Sequence, residues 1–382
     1  MLQTLLIYIL LLITMIVLSR YSSRCFYKGK CIESNWALFF LLFFYSLIFG
    51  LRYGVGIDHL AYLEKYLLLQ DYDFSFPTDV GFFVITDCFA KLNVHYSIYF
   101  GFLAFMQLFF IYYFFKDDRR VYPYITFVFI TSCQWLIFMN GIRQELAFTV
   151  FLLGIKYIEN QKFFKYLIVV LIASSIHKSA IMLILFYPLL KNKSYFSNIL
   201  IQLLLLFVAF VLLKIDIVED LIMKFDNIAL FMGYSHYIDQ VKEGNLDYIT
   251  SDMAMGVGSY IILIIDVCII LYSNQVKQYF KKRCFYIIYD IYFIGVLWHY
   301  IFLKSLIMSR PNFYMYGFQF VMGTLTLFYL FQKMSVSKMK EFILIVFLCL
   351  HISLFSANMY RMKENTAKYY FFWQEKQYKL ND

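Results

Sequence analysis

Long apolar blocks alternate with short polar segments along the whole chain. Twelve of the blocks approach the roughly 20 residues that a helix needs to cross the hydrocarbon core of a bilayer. They lack the strict alternation of a transmembrane β-strand, so the pattern predicts helices. We therefore expect an all-α integral membrane protein, a polytopic bundle of about 12 transmembrane helices (11 to 13). The predicted spans are 2–19, 36–51, 98–115, 122–139, 146–158, 164–176, 180–190, 199–213, 257–272, 284–301, 313–331 and 342–355.

The polar segments are uneven in length. Two long ones, 52–97 and 214–256, are predicted to be external loops, and 356–382 is predicted to be an external C-terminal tail. Long loops usually carry function, so we expect the substrate on the side that holds them. No appended soluble domain is evident, and one membrane domain is predicted to cover residues 1–382.

Several charged residues fall inside apolar blocks. Block 81–92 is short and contains Asp87 and Lys91, which favours a re-entrant or interfacial segment over a full span. Asp266 and Asp290 lie within predicted spans, where a charge costs about 2.5–3.5 kcal/mol and usually marks a transport path or a partner group. Either aspartate is expected to be protonated or hydrogen-bonded within the bundle.

Composition agrees with a lipid environment. Hydrophobic residues make up 62% of the chain and charged residues 15%, whereas soluble domains average about 25% charged residues. This composition excludes a soluble domain, and its high hydrophobicity excludes a disordered chain.

The distribution of charge predicts the orientation. With the N-terminus outside, six loops on the cytoplasmic side hold 19 of the 34 Lys and Arg but only five of the 25 acidic residues. Basic residues concentrate in cytoplasmic loops, so this orientation is preferred. The net charge of +9 is then a signal of topology and predicts no nucleic-acid partner. The six loops are 20–35, 116–121, 156–165, 191–198, 273–283 and 332–341.

Cysteine and histidine predict neither a disulfide framework nor a metal site. The seven cysteines are odd in number and include no CxxC pair. The six histidines are scattered, without the HxxxH or HxH spacing of a metal site. We expect no metal and no cofactor.

The densest group of polar residues follows the second predicted span. Arg52 is succeeded by Gly54, Gly56 and Asp58. A guanidinium donates to two phosphate oxygens in a planar fork, and glycines let backbone N–H groups approach an anion. The alternative is that Arg52 anchors a helix end at the headgroups while the glycines only terminate the helix.

Three further elements lie at predicted external turns. Arg143 stands near a helix N-terminus, which favours anions, although a surface pair with Glu145 is the alternative. His177 is a candidate base near neutral pH, although a lone histidine is more often structural. Arg310 precedes Pro311, which is well placed to begin a helix.

Under the predicted orientation, Arg52, Arg143, His177 and Arg310 all fall at the external ends of spans. We expect them to converge on one outward-facing cavity. Three arginines in a low dielectric are costly without an anionic ligand, so a pyrophosphate-linked lipid is the expected occupant.

The order and spacing of these elements resemble the EpsG-like branch of the Wzy-type polysaccharide polymerases, over roughly residues 35–330. The pattern is R-x-x-x-G-x-D-x-x-x-Y, then R-x-x-(L/I)-A, then H-x-S-A, then a late arginine followed by an aromatic residue. His59 departs from it, since an aromatic residue ordinarily follows the Asp. The matching segments are Arg52 to Tyr62, Arg143 to Ala147, His177 to Ala180 and Arg310 to Phe313.

The resemblance implies a metal-independent transferase that acts on undecaprenyl-pyrophosphate-linked oligosaccharide units at the outer face of a bacterial cell membrane. It implies synthesis of a capsule, O-antigen or exopolysaccharide, with a chain-length regulator and a flippase as partners. The implied fold is the helical bundle of lipid-dependent glycosyltransferases.

Chemistry suggests roles that fit this implied reaction. Cations stabilise the departing pyrophosphate, a role for Arg52, Arg143 and Arg310. A base must take the proton of the acceptor hydroxyl, for which Asp58 is preferred over His177. Substrate contacts are also expected from the turn and its flanking tyrosines, which could stack on sugars: Tyr53, Gly54, Gly56 and Tyr62.

Three rival functions are weighed against polymerisation. A flippase for lipid-linked oligosaccharides should have its basic residues in a cavity at mid-membrane. A ligase differs from a polymerase only in its acceptor. An O-acyltransferase needs a deep histidine beside an acidic or Asn partner, a pattern that His299 and His351 do not offer.

Overall fold

The computed structural model describes residues 2–23, 25–27, 30–71, 79–191, 194–213, 256–303, 305–361 and 368–375. Most of the predicted external loop 214–256, and parts of loop 52–97 and of tail 356–382, lie outside these residues.

The described residues are mostly helical, as the apolar blocks predict, with two short antiparallel strand pairs. The α-helices are α1 (Leu2–Ser22), α2 (Asn35–Gly50), α3 (His59–Asp71), α4 (Val80–Lys91), α5 (Tyr96–Phe114), α6 (Tyr122–Thr131), α7 (Gln134–Asn140), α8 (Ile142–Glu159), α9 (Phe163–Ile176), α10 (Phe186–Leu190), α11 (Ile199–Leu212), α12 (Val257–Phe280), α13 (Arg283–Ile301), α14 (Leu306–Tyr316), α15 (Phe318–Lys333) and α16 (Lys338–Arg361). Short 3-10 helices are Lys116–Val121, Lys178–Leu185, Met334–Val336 and Phe372–Gln374. The strands are β1 (Cys25–Tyr27) with β2 (Lys30–Ile32), and β3 (Arg52–Tyr53) with β4 (Tyr370–Phe371).

The helices support the expected class of all-α membrane protein. Among the described residues, five helices are long and apolar enough to cross a membrane: α1, α5, α12, α13 and Lys338–Tyr360 of α16. A bent pair raises the number to six if it forms one broken span. The number of about 12 spans and the external N-terminus stay predictions.

Several predicted spans are interrupted rather than continuous. The segment Lys116–Thr131 and α7 meet at an angle of 67°, because Cys133 at the break adopts a left-handed conformation with φ 59° that cannot continue a right-handed helix. Predicted span 180–190 lies in a 3-10 helix followed by α10, and span 313–331 is divided between α14 and α15.

The described chain divides into two compact units, one formed by Met1–Leu153 with Leu330–Asp382 and the other by Gly154–Tyr329. In the first unit α2 packs against α1 and α5, and α6 packs against α1 and α16. The contact of α2 with α5 needs glycine, because a Cβ atom on Gly50 would lie 2.2 Å from the carbonyl oxygen of Ser97. The prediction of a single membrane domain stays a prediction.

In the second unit α13 packs against α11, α12 and α14. Asp266 on α12 is fully buried there. It is hydrogen-bonded within the bundle, which is one of the two states that the sequence predicts for it, protonated or hydrogen-bonded. Its carboxylate accepts hydrogen bonds from four side chains: Tyr292 (2.7 Å), Tyr300 (2.9 Å), Tyr316 (2.7 Å) and Gln319 (2.9 Å).

Asp290 on α13 is also hydrogen-bonded. It accepts the backbone N–H groups of Tyr195 and Phe196 at 3.0 and 3.3 Å and the hydroxyl of Ser194 at 3.3 Å. The Lys277 ammonium donates to the carbonyl oxygen of Phe196 at 2.7 Å. Asp290 therefore fixes the turn before α11, and these contacts give it a structural role.

Candidate functional site

The first sequence element forms a tight turn between α2 and α3. After β3, Gly54 and Gly56 adopt φ angles of 68° and 94°, a region that residues with a side chain rarely occupy. The N–H of Gly54 donates to Nδ1 of His59 at 3.3 Å. A Cβ atom on Gly56 would lie 3.2 Å from Oδ1 of Asn140. Both glycines are therefore needed for the shape of the turn.

Arg52 lies inside the first unit and not on its surface. Its side chain is 0% exposed. The guanidinium stacks over the ring of Phe49 at 3.8 Å and donates from Nη2 to the carbonyl oxygen of Met139 at 2.7 Å. Burial lowers the pKa of Arg52 to about 9, which leaves it protonated at neutral pH. A cation suits this position, because Met139 lies in the last turn of α7 where carbonyl groups lack helical partners.

The C-terminal segment 368–375 covers this turn. Strand β4 pairs with β3, and the N–H of Phe372 donates to the carbonyl oxygen of Leu51 at 2.8 Å. The hydroxyl of Tyr369 donates to the carbonyl oxygen of Ile48 at 2.6 Å, and that of Tyr53 donates to Glu375 at 3.0 Å. These residues belong to the predicted external tail 356–382, and their pairing with Arg52 was not predicted from the sequence.

Arg143 contacts the first element directly. It lies in the first turn of α8, before the predicted span 146–158. Its Nε donates to the hydroxyl of Tyr62 at 3.1 Å, and its Nη1 forms an ion pair with Asp79 at 2.6 Å. The side chain of Arg143 is 32% exposed and that of Asp79 only 6%. The partner of Arg143 is thus Asp79 on the loop before α4, and Glu145, the alternative partner, is itself 1% exposed in the protein.

Electrostatics favour the charged form of Arg143. Burial works against the charge, but the attraction of Tyr62, Asp79 and Asp58 outweighs it and raises the pKa of Arg143. Burial also raises the pKa of Tyr62, although the neighbouring guanidinium opposes that shift. Tyr62 is therefore a neutral hydroxyl at physiological pH, and Asp58 acts on the same guanidinium through its charge.

The backbone joins the first two elements as well. Oδ1 of Asn140, at the end of α7, accepts the N–H of Asp58 at 3.0 Å. Arg143 and Tyr62 are 81 residues apart in sequence. The structure thus brings Asp58, Tyr62 and Arg143 together around one turn, which carries Gly54 and Gly56, with Tyr53 buried in β3 beside it.

The third and fourth elements meet in the second unit. His177 is the C-cap residue directly after α9, and a 3-10 helix begins at the next residue, Lys178. Ser179 on that helix is hydrogen-bonded to the hydroxyl of Tyr314 on α14 at 3.2 Å. Arg310 lies one helical turn before Tyr314, so the two side chains belong to the same face of α14. Convergence of the elements of both units on one cavity stays a prediction.

Asp79 and Lys65 lie outside the four sequence elements, and they line a pocket of about 80 Å³ with Arg143 and Tyr62. Asp79 had one local signal, since an Asp immediately before an apolar block is typical of a helix N-cap. Among the described residues, no group of three or more His, Cys, Asp or Glu side chains is arranged to hold a metal ion.

Comparison with known proteins gives one family. The model described as the EpsG family matches residues 35–372. This range contains all four sequence elements and extends through strand β4. No curated protein and no solved structure matches the chain.

Proposed function

Because the chain belongs to the EpsG family, whose members are membrane proteins of the polysaccharide-polymerase type, we propose that it polymerises lipid-linked oligosaccharide repeat units. In this proposal the growing glycan leaves undecaprenyl pyrophosphate and joins a hydroxyl of the incoming lipid-linked unit. The reaction takes place at the outer face of the bacterial cell membrane during synthesis of a capsule, O-antigen or exopolysaccharide.

One observation carries the proposal. A guanidinium, a carboxylate and a phenol from two separate sequence elements surround the same turn: Arg143, Asp58 and Tyr62. A transfer from pyrophosphate to a hydroxyl needs a cation for the leaving group and a base for the acceptor, and this turn supplies both kinds of group.

The chemical step breaks the bond between the anomeric carbon of the growing glycan and a pyrophosphate oxygen. Negative charge grows on that oxygen, so a guanidinium held beforehand by Asp79 and Tyr62 stabilises the transition state more than the ground state. The acceptor oxygen forms the new bond to the anomeric carbon, and its proton passes to Asp58, the preferred base. A positioned base contributes typically 10²–10⁴-fold.

The other candidate site residues bind the substrate or shape the turn in this proposal. Arg310 is a second pyrophosphate-binding residue, and His177 is the alternative base. Gly54 and Gly56 shape the turn for the substrate, with Tyr53 and Tyr62 as contacts.

Arg52 has two roles open to it in the proposal. Its hydrogen bond to Met139 supports a role in positioning the turn that leads to Arg143. A direct contact with pyrophosphate requires the C-terminal segment 368–375 to move away, because that segment covers the turn of Arg52.

The test is polymerisation in vitro. Lipid-linked repeat units are extracted from cells that lack this protein and are incubated with the purified protein. The products are then separated by size. The wild-type protein should give a ladder of polymer lengths. Arg143→Ala should lower the rate about 10²–10³-fold, the usual cost of losing one preorganised donor to a developing charge. Arg120→Ala is the matched control, since Arg120 is an exposed arginine paired with Asp118 in the 3-10 helix Lys116–Val121 of the same unit.

The rival functions give different results in this assay. A flippase would form no polymer from substrate supplied in detergent, whatever the variant. A ligase would attach one unit to another acceptor and give no ladder. A full-length ladder from Arg143→Ala would refute the proposed role of that residue.

A further inference from the structure

A small pocket beside Arg143 lies between α3, α4, α5 and the start of α8. It has a volume of about 80 Å³, far below the roughly 300–1,000 Å³ of typical small-molecule sites. It can therefore hold one compact group and not a sugar ring. The lining residues are Tyr62, Lys65, Asp79, Phe82, Phe83, Thr86, Tyr99 and Arg143.

The charges around the pocket suit a compact anion. Two cations, Lys65 and Arg143, line it against the single carboxylate of Asp79. Four of its eight lining residues are aromatic, and a charge-assisted hydrogen bond is roughly twice as strong as a neutral one. Among the described residues, Nη2 of Arg143 has no hydrogen-bond partner, whereas Nε and Nη1 are occupied by Tyr62 and Asp79.

Asp79 does not cap helix α4 with its side chain. It occupies the N-cap position of α4, where an aspartate usually accepts a backbone N–H of the first turn. Its side chain makes no such bond, and its backbone is left-handed with φ 60°. The carboxylate instead holds Nη1 of Arg143 at 2.6 Å. This geometry has a conformational cost, and its visible result is a fixed orientation of Arg143.

We propose that this pocket binds one phosphate group of the lipid-linked pyrophosphate, with Lys65 as the second cation and Asp79 as the residue that positions Arg143. The proposal rests on the proposed function, since it names the phosphate subsite of the same reaction. Neither Lys65 nor Asp79 belongs to the four sequence elements.

Binding of inorganic pyrophosphate tests the subsite without requiring turnover. The full-length purified protein is titrated with pyrophosphate by calorimetry in detergent. Lys65→Gln should weaken binding about 10-fold, the effect of one charge-assisted hydrogen bond, and Lys65→Arg should restore most of it. Lys91→Gln is the matched control, because Lys91 is an exposed lysine paired with Asp87 on α4 and does not line the pocket.

Asp79→Asn separates positioning from simple repulsion. Removing a carboxylate from an anion site should tighten pyrophosphate binding if the charge of Asp79 matters only through repulsion. A positioning role predicts the opposite, about 10-fold weaker binding and a raised KM in polymerisation, because Arg143 loses its fixed orientation. Tighter binding by Asp79→Asn would overturn the positioning role. The Lys65 variants still decide on the pocket if Asp79→Asn does not fold.

Failure of the subsite and failure of the proposed function are distinguishable. If the wild-type protein binds pyrophosphate through Lys65 but forms no polymer, the subsite stands and the polymerase proposal falls. If polymer forms while Lys65→Gln leaves both the pyrophosphate Kd and the KM unchanged, the subsite is refuted and the polymerase proposal stands.

Discussion

Asp266 allows a stringent test of the second unit. Its carboxylate is fully buried on α12 and accepts four side-chain hydrogen bonds, three from tyrosine hydroxyls and one from Gln319. Asp266→Ala leaves all four donors without their acceptor. Asp266→Asn keeps one carbonyl oxygen but replaces the other oxygen with an amide that is itself a donor. We expect Asp266→Ala to be the more destabilising and Asp266→Asn to be intermediate.

The size of the effect follows from the number of bonds. Side-chain hydrogen bonds between membrane helices contribute about 0.6 kcal/mol on average and up to about 1.7 kcal/mol. Four such bonds together give about 2.4–6.8 kcal/mol for Asp266→Ala. Tyr292→Phe removes one of the four and should cost about 0.6–1.7 kcal/mol.

The assay is unfolding of the purified protein in mixed micelles with increasing SDS, followed by circular dichroism. Tyr292→Phe combined with Asp266→Ala completes a double-mutant cycle. In Asp266→Ala the hydroxyl of Tyr292 has already lost this acceptor. Tyr292→Phe should therefore lower the unfolding free energy little further in that background. The network does not hold these helices together if the unfolding free energy of Asp266→Ala lies within about 0.5 kcal/mol of the wild-type value. The same conclusion follows if the free-energy changes of the two single variants add up to that of the double variant.

Three further predictions concern the contacts around the candidate site. Tyr369→Phe removes the hydrogen bond to the carbonyl oxygen of Ile48 and should destabilise the docked segment 368–375 by about 0.5–1.5 kcal/mol. The measurement is hydrogen exchange in residues 368–375, which should become faster, and unchanged exchange would argue against this anchor. Burial holds the pKa of His59 well below its usual 6.5, so the folded protein should lose stability as pH falls below about 6.5, and His59→Asn should lessen that loss in thermal melts. Tyr314→Phe removes the bond to Ser179 and should lower the polymerisation rate about fivefold if this contact aligns the third and fourth elements; an unchanged rate would assign the bond to stability alone.

The helices could be predicted from the sequence because they depend on local hydrophobic pattern. Each of the twelve apolar blocks overlaps at least one helix. The breaks could not be predicted, since they depend on single backbone conformations that hydropathy does not encode. Cys133 is an ordinary apolar residue within a block, yet its left-handed conformation separates α6 from α7. The same break produces Asn140 and Met139 at the end of a separate short helix, where they bind the first element.

The sequence elements of the candidate site could be predicted, but the contacts between their side chains could not. The motif pattern identified Asp58, Tyr62 and Arg143, and the structure brings these three together. It could not identify Asp79, which is 64 residues from Arg143, because an ion pair at that separation is fixed by tertiary packing. Glu145 is nearer in sequence and was the alternative partner, which illustrates how a local pattern favours local pairs.

Arg52 shows why the end of an apolar block does not determine exposure. A side chain that leaves a helix at the membrane surface is expected to reach water or headgroups. Arg52 instead turns back over Phe49 and is covered by the C-terminal segment 368–375. Tyr369 of this segment donates a hydrogen bond to Ile48, a residue 321 positions away in sequence. A buried cation with one hydrogen bond is costly unless another group compensates it. The carbonyl at the end of α7 and the ring of Phe49 supply part of that compensation, so Arg52 ties α2 and the C-terminal segment to the turn that leads to Arg143.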